Sequence, residues 1–466
     1  MKQAFFYTSI VLLIFTAGCK KDTFITSKDA RVLFSIDTLR FDTVFTTTGS
    51  VTQLFKIRND NNQKLKIDNI SLQGGANSVF RINADGITGP AIKNIELAAN
   101  DSIFVFVTVT INPTSAPVPF ILRDSIGIEY NGNKNFVQLE AWGQNAHFLR
   151  NVKLTANTVW TNDLPYVILG GLLVDTFATL TIQKGCRIYL HADAPLLVDG
   201  SLRVNGEKEE DSRVYFNGDR PDYPYNEYPA AWPGIYFRGG SKDNVLQYAV
   251  VRNAYQGLVA QEPSVNANPK LTLNNCIIDN IYDAGLYAIA TSVNATNCLI
   301  SNCGKNVQLV YGGNYTFVHC TMPTVSNNYI THKDPVLYIS NYVQAGGTIF
   351  TANLSAMFTN CIMWADNGTA ENEVVTAKQG ATTFSVGFTN CLWKVKTAPL
   401  NSTVTAIINN QNPQFDSINV AKNFYDFRLK TGSPAINTGI ATGTTTDLDG
   451  NPRSPVQPDL GAYEKQ

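Results

Sequence analysis

The sequence predicts an all-β protein, a β-sandwich followed by a parallel β-helix, and three observations carry that prediction. Asn, Thr, Gly, Val and Ile are plentiful while Met and His number only 4 each, the vocabulary of strands and turns. Short alternating runs separated by turn residues fill an early segment. Farther on, a cysteine-centred motif recurs at a regular interval, first from Cys276 to Cys298 and again from Cys298 to Cys320, as stacked coils require. The 36 basic and 37 acidic side chains leave a net charge of -1, which gives no electrostatic footprint for nucleic acid. With 44% hydrophobic and 16% charged residues among 466, the chain is far from a disordered composition and long enough for two or three domains.

Residues 1–18 read as a targeting segment, with Lys2 as the positive start, Ala4 to Phe15 as the apolar stretch and Thr16-Ala17-Gly18 before Cys19. The apolar stretch is too short to span a bilayer as a finished helix. Small residues ending in cysteine resemble the lipobox of bacterial lipoproteins, which implies cleavage before Cys19 and acylation of that residue. Residues 19–29 would then be anchor and linker, and the membrane a partner through the lipid. Lys20-Lys21-Asp22 partly resembles the surface-export signals of Bacteroidota lipoproteins, and Asp37-Thr38-Leu39, Asp101-Ser102-Ile103 and Asp124-Ser125-Ile126 resemble that phylum's O-glycosylation acceptor. The implied address is the outer membrane, at the cell surface or the periplasmic face.

From residue 30 to 147 the runs Gln53–Arg58, Leu65–Ile67 and Ser102–Val109 alternate apolar with polar residues, between turns such as Asp60-Asn61-Asn62. Phe55–Asp60, Gly74-Gly75 with Phe80-Arg81-Ile82, and Leu139–Gly143 resemble the immunoglobulin-like ASH-type domains that precede larger modules in bacterial surface proteins. That resemblance implies a spacer, and the segment holds no catalytic constellation.

The helix is expected over 148–400. Leu273-Asn274-Asn275-Cys276-Ile277-Ile278 recurs around Cys298, Cys320, Cys361 and Cys391. The first two intervals are equal and are read as one coil each. The third, from Cys320 to Cys361, is nearly twice as long and is read as two coils, and the last, to Cys391, as one coil with an insertion. Each cysteine and the residue two after it share a strand face, whereas the apolar residue three before it lies an odd number of steps away, so the chain must bend between them. Asn275, Asn297, Asn360 and Asn390 stand at that bend, and asparagine tolerates the left-handed backbone best among non-glycine residues. The expectation is an asparagine ladder beside an inward stack of Cys276, Cys298, Cys320, Cys361 and Cys391.

Further segments resemble β-helices of the pectate-lyase-like superfamily, which implies a right-handed helix: Leu180–Gly185, Leu197–Leu202 and Trp232-Pro233-Gly234-Ile235-Tyr236-Phe237. Gly432–Gly439, Asp447–Arg453 and Pro458–Glu464 resemble the choice-of-anchor Q region, which implies a C-terminal cap over 401–466.

Eight cysteines less Cys19 leave seven, an odd number for an oxidising compartment, and the coil-spaced set is better explained as small buried hydrophobes than as disulfides. Zinc would need ligands at short spacing, which only Cys298 and Cys303 approach. The loop Arg220–Trp232 concentrates aromatics and prolines where no regular strand can run. Tyr223, Tyr225, Tyr228 and Trp232 are candidate faces for sugar rings, although Trp232 also fits a coil-start position and the whole loop fits a simple cover for the helix. A lyase would need carboxylates for calcium and a basic side chain; Asp279, Asp283 and Lys305 form the set that consecutive coils offer. Turn residues of these types also form the ordinary solvated surface of a β-helix. Asp447, Asp449 and Asn451 have EF-hand spacing, but Pro452 and Pro458 break the motif, so an ion pair of Arg453 with Asp447 or Asp449 is expected instead. The reading that results is an envelope lipoprotein whose β-helix binds an extended carbohydrate polymer. The alternatives are a calcium-dependent polysaccharide lyase or a glycoside hydrolase on the same helix, and a non-catalytic structural or adhesive surface protein.

Overall fold

A computed structural model of the chain describes residues 23–45, 52–110, 120–221 and 223–466; Cys19 and residues 1–18, expected to be a targeting segment, lie outside them. The chain forms two compact units that divide between Asn145 and Ala146.

The first unit is a sandwich of two five-stranded sheets. One holds Val32–Phe34, Gln53–Asn59, Ser102–Val109, Phe80–Ala84 and Ile87–Gly89, antiparallel throughout. The other holds Thr38–Phe45, Asn133–Gln144, Phe120–Tyr130, Leu65–Leu72 and Ala91–Leu97, and its one parallel pairing joins Thr38–Phe45 to Asn133–Gln144. Strand alternation sorts the side chains: Phe55 and Ile57 enter the core with Phe80, Val105, Ile126 and Leu139, while Leu54, Lys56 and Arg58 face out.

The second unit is a parallel β-helix, one sheet of 26 strands wound into about ten coils, roughly 50 Å long at strand spacing. Each coil contributes to three lanes. The first lane includes Leu271–Asn274, Leu354–Thr359 and Phe384–Thr389. The second, after the asparagine bend, includes Ala249–Arg252, Ile277–Asp279, Leu299–Ser301, Thr321–Val325 and Ile362–Asp366. The third includes Ile235–Phe237, Leu258–Gln261, Leu337–Ser340 and Val374–Ala377. Parallel pairing with the coils on either side satisfies the backbone of every lane. The stack begins at His147–Leu154 and continues past residue 400 to Ser402–Thr405 and Ile408–Asn409.

The bend geometry follows from the repeat. Asn275, Asn297, Asn360 and Asn390 all have φ between 47° and 55°, and His319 takes the same conformation in the remaining copy. Cys276, Cys298, Cys320, Cys361 and Cys391 point inward, buried and free, as are Cys186 and Cys303. Each thiol of the stack donates to the carbonyl two residues before it and to one in an adjacent coil, as Cys298 does to Thr296 and Leu273 at 3.3 and 3.7 Å. Burial pushes the thiols of Cys276, Cys298, Cys320 and Cys361 well above their ordinary value, so they behave as apolar filling. Beside them Phe317, Phe358 and Phe388 stack at 5.0 Å, and burying each ring contributes about 1.5–3 kcal/mol.

One interval is corrected. The stretch from Cys320 to Cys361 is a single coil, not two, because Phe317 pairs directly with Phe358 and Thr321 with Ile362. The surplus leaves the coil at two corners, as the loop 326–336 and as the hairpin Tyr342–Ala345 with Thr348–Thr351. Neither excursion disturbs the lanes, because its ends return to adjacent positions: Ala352 N–H donates to Asn341 O at 2.9 Å.

The C-terminal residues fold back along the flank of the coils. Phe427, Leu448, Ala462 and Tyr463 pack on Leu299 and Val325 outside the second lane, and Leu429, Ala435 and Leu460 cover Ile362, Trp364 and Leu392. Residues 438–447 run down the asparagine ladder. Asn390 donates to Thr438 O, Asn360 to Ile440 O, Asn297 to Thr446 O and Asn275 to Asp447 O, each at 2.7–2.8 Å. The ladder is thus a rail for the chain's own end. Arg453 does not pair with Asp447 or Asp449 as expected. Its buried guanidinium meets Glu464 at 3.1 Å, Asn297 Oδ1 at 3.0 Å and Gly461 O at 2.8 Å. Asp449 pairs with Arg428. Asp447 instead accepts the N–H groups of Asp449, Asn451 and Glu464 and so closes the terminal turn itself. Among the described residues no three His, Cys, Asp or Glu side chains are grouped to hold a metal ion.

Candidate functional site

The corners between the second and third lanes differ greatly in length, and that difference builds the site. Residues 253–257, 280–283 and 302–304 turn tightly, whereas the coils on either side carry the excursions 219–234 and 326–336. Gly304 allows the low corners to lie flush, since a Cβ there would collide with the Tyr282 carbonyl. The long loop leans over them: Asn253 donates to Asn226 O at 2.7 Å and Asn280 to Glu227 O at 2.8 Å. It meets the other excursion where Tyr228 packs on Tyr329 with ring centroids 5.3 Å apart.

The result is a corner rich in tyrosine. Tyr223, Tyr225, Tyr228, Tyr255, Tyr282 and Tyr329 are all exposed, by between 37% and 70%. Tyr225 packs edge-on against Tyr228 at 5.4 Å beneath the Arg220 guanidinium, and Tyr255 stacks on Tyr282 at 5.6 Å. Beside the corner, the outward face of the third lane carries Tyr236, Val259, Tyr287, Gln308 and Tyr338 in direct register. Trp232 is not part of this surface. It is 1% exposed, with its indole N–H donating to Arg252 O, so its face is closed to a sugar and it acts as a coil-start plug.

The proposed acid–base set is divided. Lys305 Nζ lies 3.1 Å from Asp283 Oδ1, and Gln256 donates to the other oxygen at 2.9 Å. Asp279 belongs to a separate network, in which it accepts from Arg252, Ser301 and Asn302. Those donors saturate a buried carboxylate and leave it no free lone pair aimed at a ligand. Burial opposes the charge on Lys305, but the hydrogen bond and the negative charge of Asp283 outweigh it and hold the ammonium above its ordinary value. A lysine held protonated is a poor general base at neutral pH. It is a donor and a charge in a pocket of about 320 Å³ that also involves Tyr282, Tyr329, Lys333 and Asp334.

Tyr236, Tyr255, Tyr282, Tyr287, Tyr329 and Tyr338 were not singled out from the sequence. A signal existed for three of them, since Tyr236, Tyr287 and Tyr338 are evenly spaced along the chain and occupy one lane position, but only the cysteine lane shows its period without the structure.

A family model described as a right handed beta helix region matches residues 139–322. No curated protein matches the chain. Among solved structures, the catalytic domain of a GH87 α-1,3-glucanase in complex with nigerose is similar at 9% identity over 77% of this chain and 87% of that one, with a TM-score of 0.18. The ASH/PapD-like domain of human CEP192 is similar at 12% identity over 27% of this chain and 91% of that one, with a TM-score of 0.18. A family 123 glycoside hydrolase from Clostridium perfringens is similar at 9% identity over 25% of this chain, with a TM-score of 0.18, and the matched part spans 26% of that hydrolase. Scores this low carry no argument about activity. The family match and the continuous parallel sheet together make the architecture of the second unit a right-handed parallel β-helix.

Proposed function

We propose that the protein is a cell-envelope lipoprotein, anchored through Cys19, whose β-helix binds an extended carbohydrate polymer along the tyrosine corner and the adjoining third lane. The observation that supports this reading is the run of exposed tyrosines over successive coils, with three more in register beside it. Six exposed aromatic rings in one corner are a costly surface to leave in water, and such faces stack on the apolar faces of sugar rings. Asp283, Lys305 and the tyrosine hydroxyls supply hydrogen bonds around the stacked rings. A solenoid flank suits a polymer because its contacts repeat from coil to coil. The division of Asp279 from Asp283 and Lys305 weighs against the lyase alternative.

The test is affinity electrophoresis of the full chain carrying Cys19→Ala, in gels containing uronic-acid or neutral polysaccharides, with and without calcium. Retarded migration in at least one polymer is expected, and the double substitution Tyr255→Ala, Tyr282→Ala is expected to weaken it at least tenfold. Release of unsaturated products, abolished by chelator, would replace the binding reading with the lyase.

A further inference from the structure

The opposite edge of the third lane repeats the same device with different chemistry. At the corner from the third lane to the first, two coils turn within continuous strands. The long strand Ala284–Thr296 bends at Ala290, with φ 49°, and Lys305–Val318 bends at Tyr311, with φ 61°. Gly313 makes this close stacking possible, because a Cβ there would collide with the Thr291 carbonyl. The coil before them spends residues 262–270 on the same corner, and the coil after them carries the hairpin Tyr342–Thr351. Two low corners between two high ones form a trough, with walls about 14 Å apart at the spacing of three rungs.

We propose that this trough, of about 430 Å³, is a second binding site, and that its ligand is an uncharged glycan chain. Its lining includes Ser264, Asn294, Tyr311, Asn314, Thr316 and Asn353, and no acidic, basic or histidine side chain is among the lining residues. The nearby carboxylate of Asp243 is engaged by Asn266 and Asn268, whose amides donate to it at 2.7–3.1 Å and hold it below its ordinary value. Amides and hydroxyls both donate and accept, which matches the hydroxyls of a sugar. A charged ligand would lose hydration there with no countercharge to offset the loss.

One feature marks the trough as more than ordinary polar surface. Thr291 beneath it faces the core with Val293 and Ala295, so the outward side chains of this stretch are Ser292 and Asn294. The exposed groups are in register: Asn294 sits opposite Thr316, and Ser292 opposite Asn314, so the two rungs present parallel rows of polar groups along the strands, the direction in which the trough between its two walls runs. This inference rests on the corner's own geometry and is independent of the tyrosine surface.

The experiment compares three forms of the full chain carrying Cys19→Ala: the parent, Asn294→Ala with Asn314→Ala, and Tyr255→Ala with Tyr282→Ala. Each is titrated calorimetrically with soluble oligosaccharides of a β-1,3-glucan, an α-glucan, a mannan and a xylan, and with oligogalacturonate. Both altered asparagines are exposed, so an unchanged melting temperature is the control for folding. The expected result is a neutral oligosaccharide whose Kd rises tenfold or more in the asparagine variant and less than twofold in the tyrosine variant. Failure of every neutral oligosaccharide to bind, or an asparagine variant that binds like the parent, overturns this site. If affinity falls only in the tyrosine variant, the trough fails and the tyrosine surface stands. Oligogalacturonate binding that depends on Asn294 and Asn314 also overturns it, because the chemistry inferred would be wrong.

Discussion

His319 shows how one residue can depart from a repeat and leave a measurable trace. Its backbone adopts the left-handed conformation of its four asparagine counterparts, and its ring Nε2 lies 3.1 Å from the Asn360 amide and 3.2 Å from the Thr442 hydroxyl. Burial, reinforced by the nearby charge of Arg453, pushes its pKa down to about 3. In the unfolded chain the same imidazole titrates near 6.5, so as pH falls the unfolded state takes up a proton that the folded state refuses. Stability is therefore lost between about pH 6.5 and pH 3, by on the order of 4 kcal/mol. His319→Asn restores the prevailing ladder residue and is expected to flatten this limb. Urea unfolding at pH 7 and pH 4 checks it, and a variant with the parent's pH slope contradicts the assignment.

At the scale of elements, the asparagine ladder does two jobs that the sequence shows as one. The left-handed bend was legible because it is a local property of each residue. The amides' engagement with residues 438–447 was not, because those partners lie 48 to 172 residues away. The same holds for Arg453, whose partner proved to be Glu464 and not the nearer carboxylates. Arg453→Met is expected to cost about 3–5 kcal/mol, because it leaves Glu464 buried without its cation and Asn297 without a donor. Limited proteolysis should then release the C-terminal segment while the coils persist, and a variant as resistant as the parent would show that the segment is held elsewhere. The tyrosine corner was half legible. The loop 219–234 announced itself by composition, but its meeting with Tyr329 depended on loop 326–336 belonging to one long coil where the spacing suggested two.

For the whole molecule, two units with separate cores predict separate unfolding. Calorimetry on the Cys19→Ala chain is expected to resolve two transitions, and one transition whose calorimetric and van't Hoff enthalpies agree would contradict this. The sequence by itself determined the all-β class, the coil period, the left-handed asparagines and the inward cysteines. All of these are short-range constraints that recur at a fixed spacing and so can be read from one copy to the next. Only the tertiary structure decided which corners stand side by side, which carboxylate Lys305 meets, and which flank the C-terminal segment covers. Adjacency in a solenoid depends on how many residues each corner absorbs, and the long coil from Cys320 to Cys361 pairs with its neighbours through the same lanes as the short one from Cys298 to Cys320.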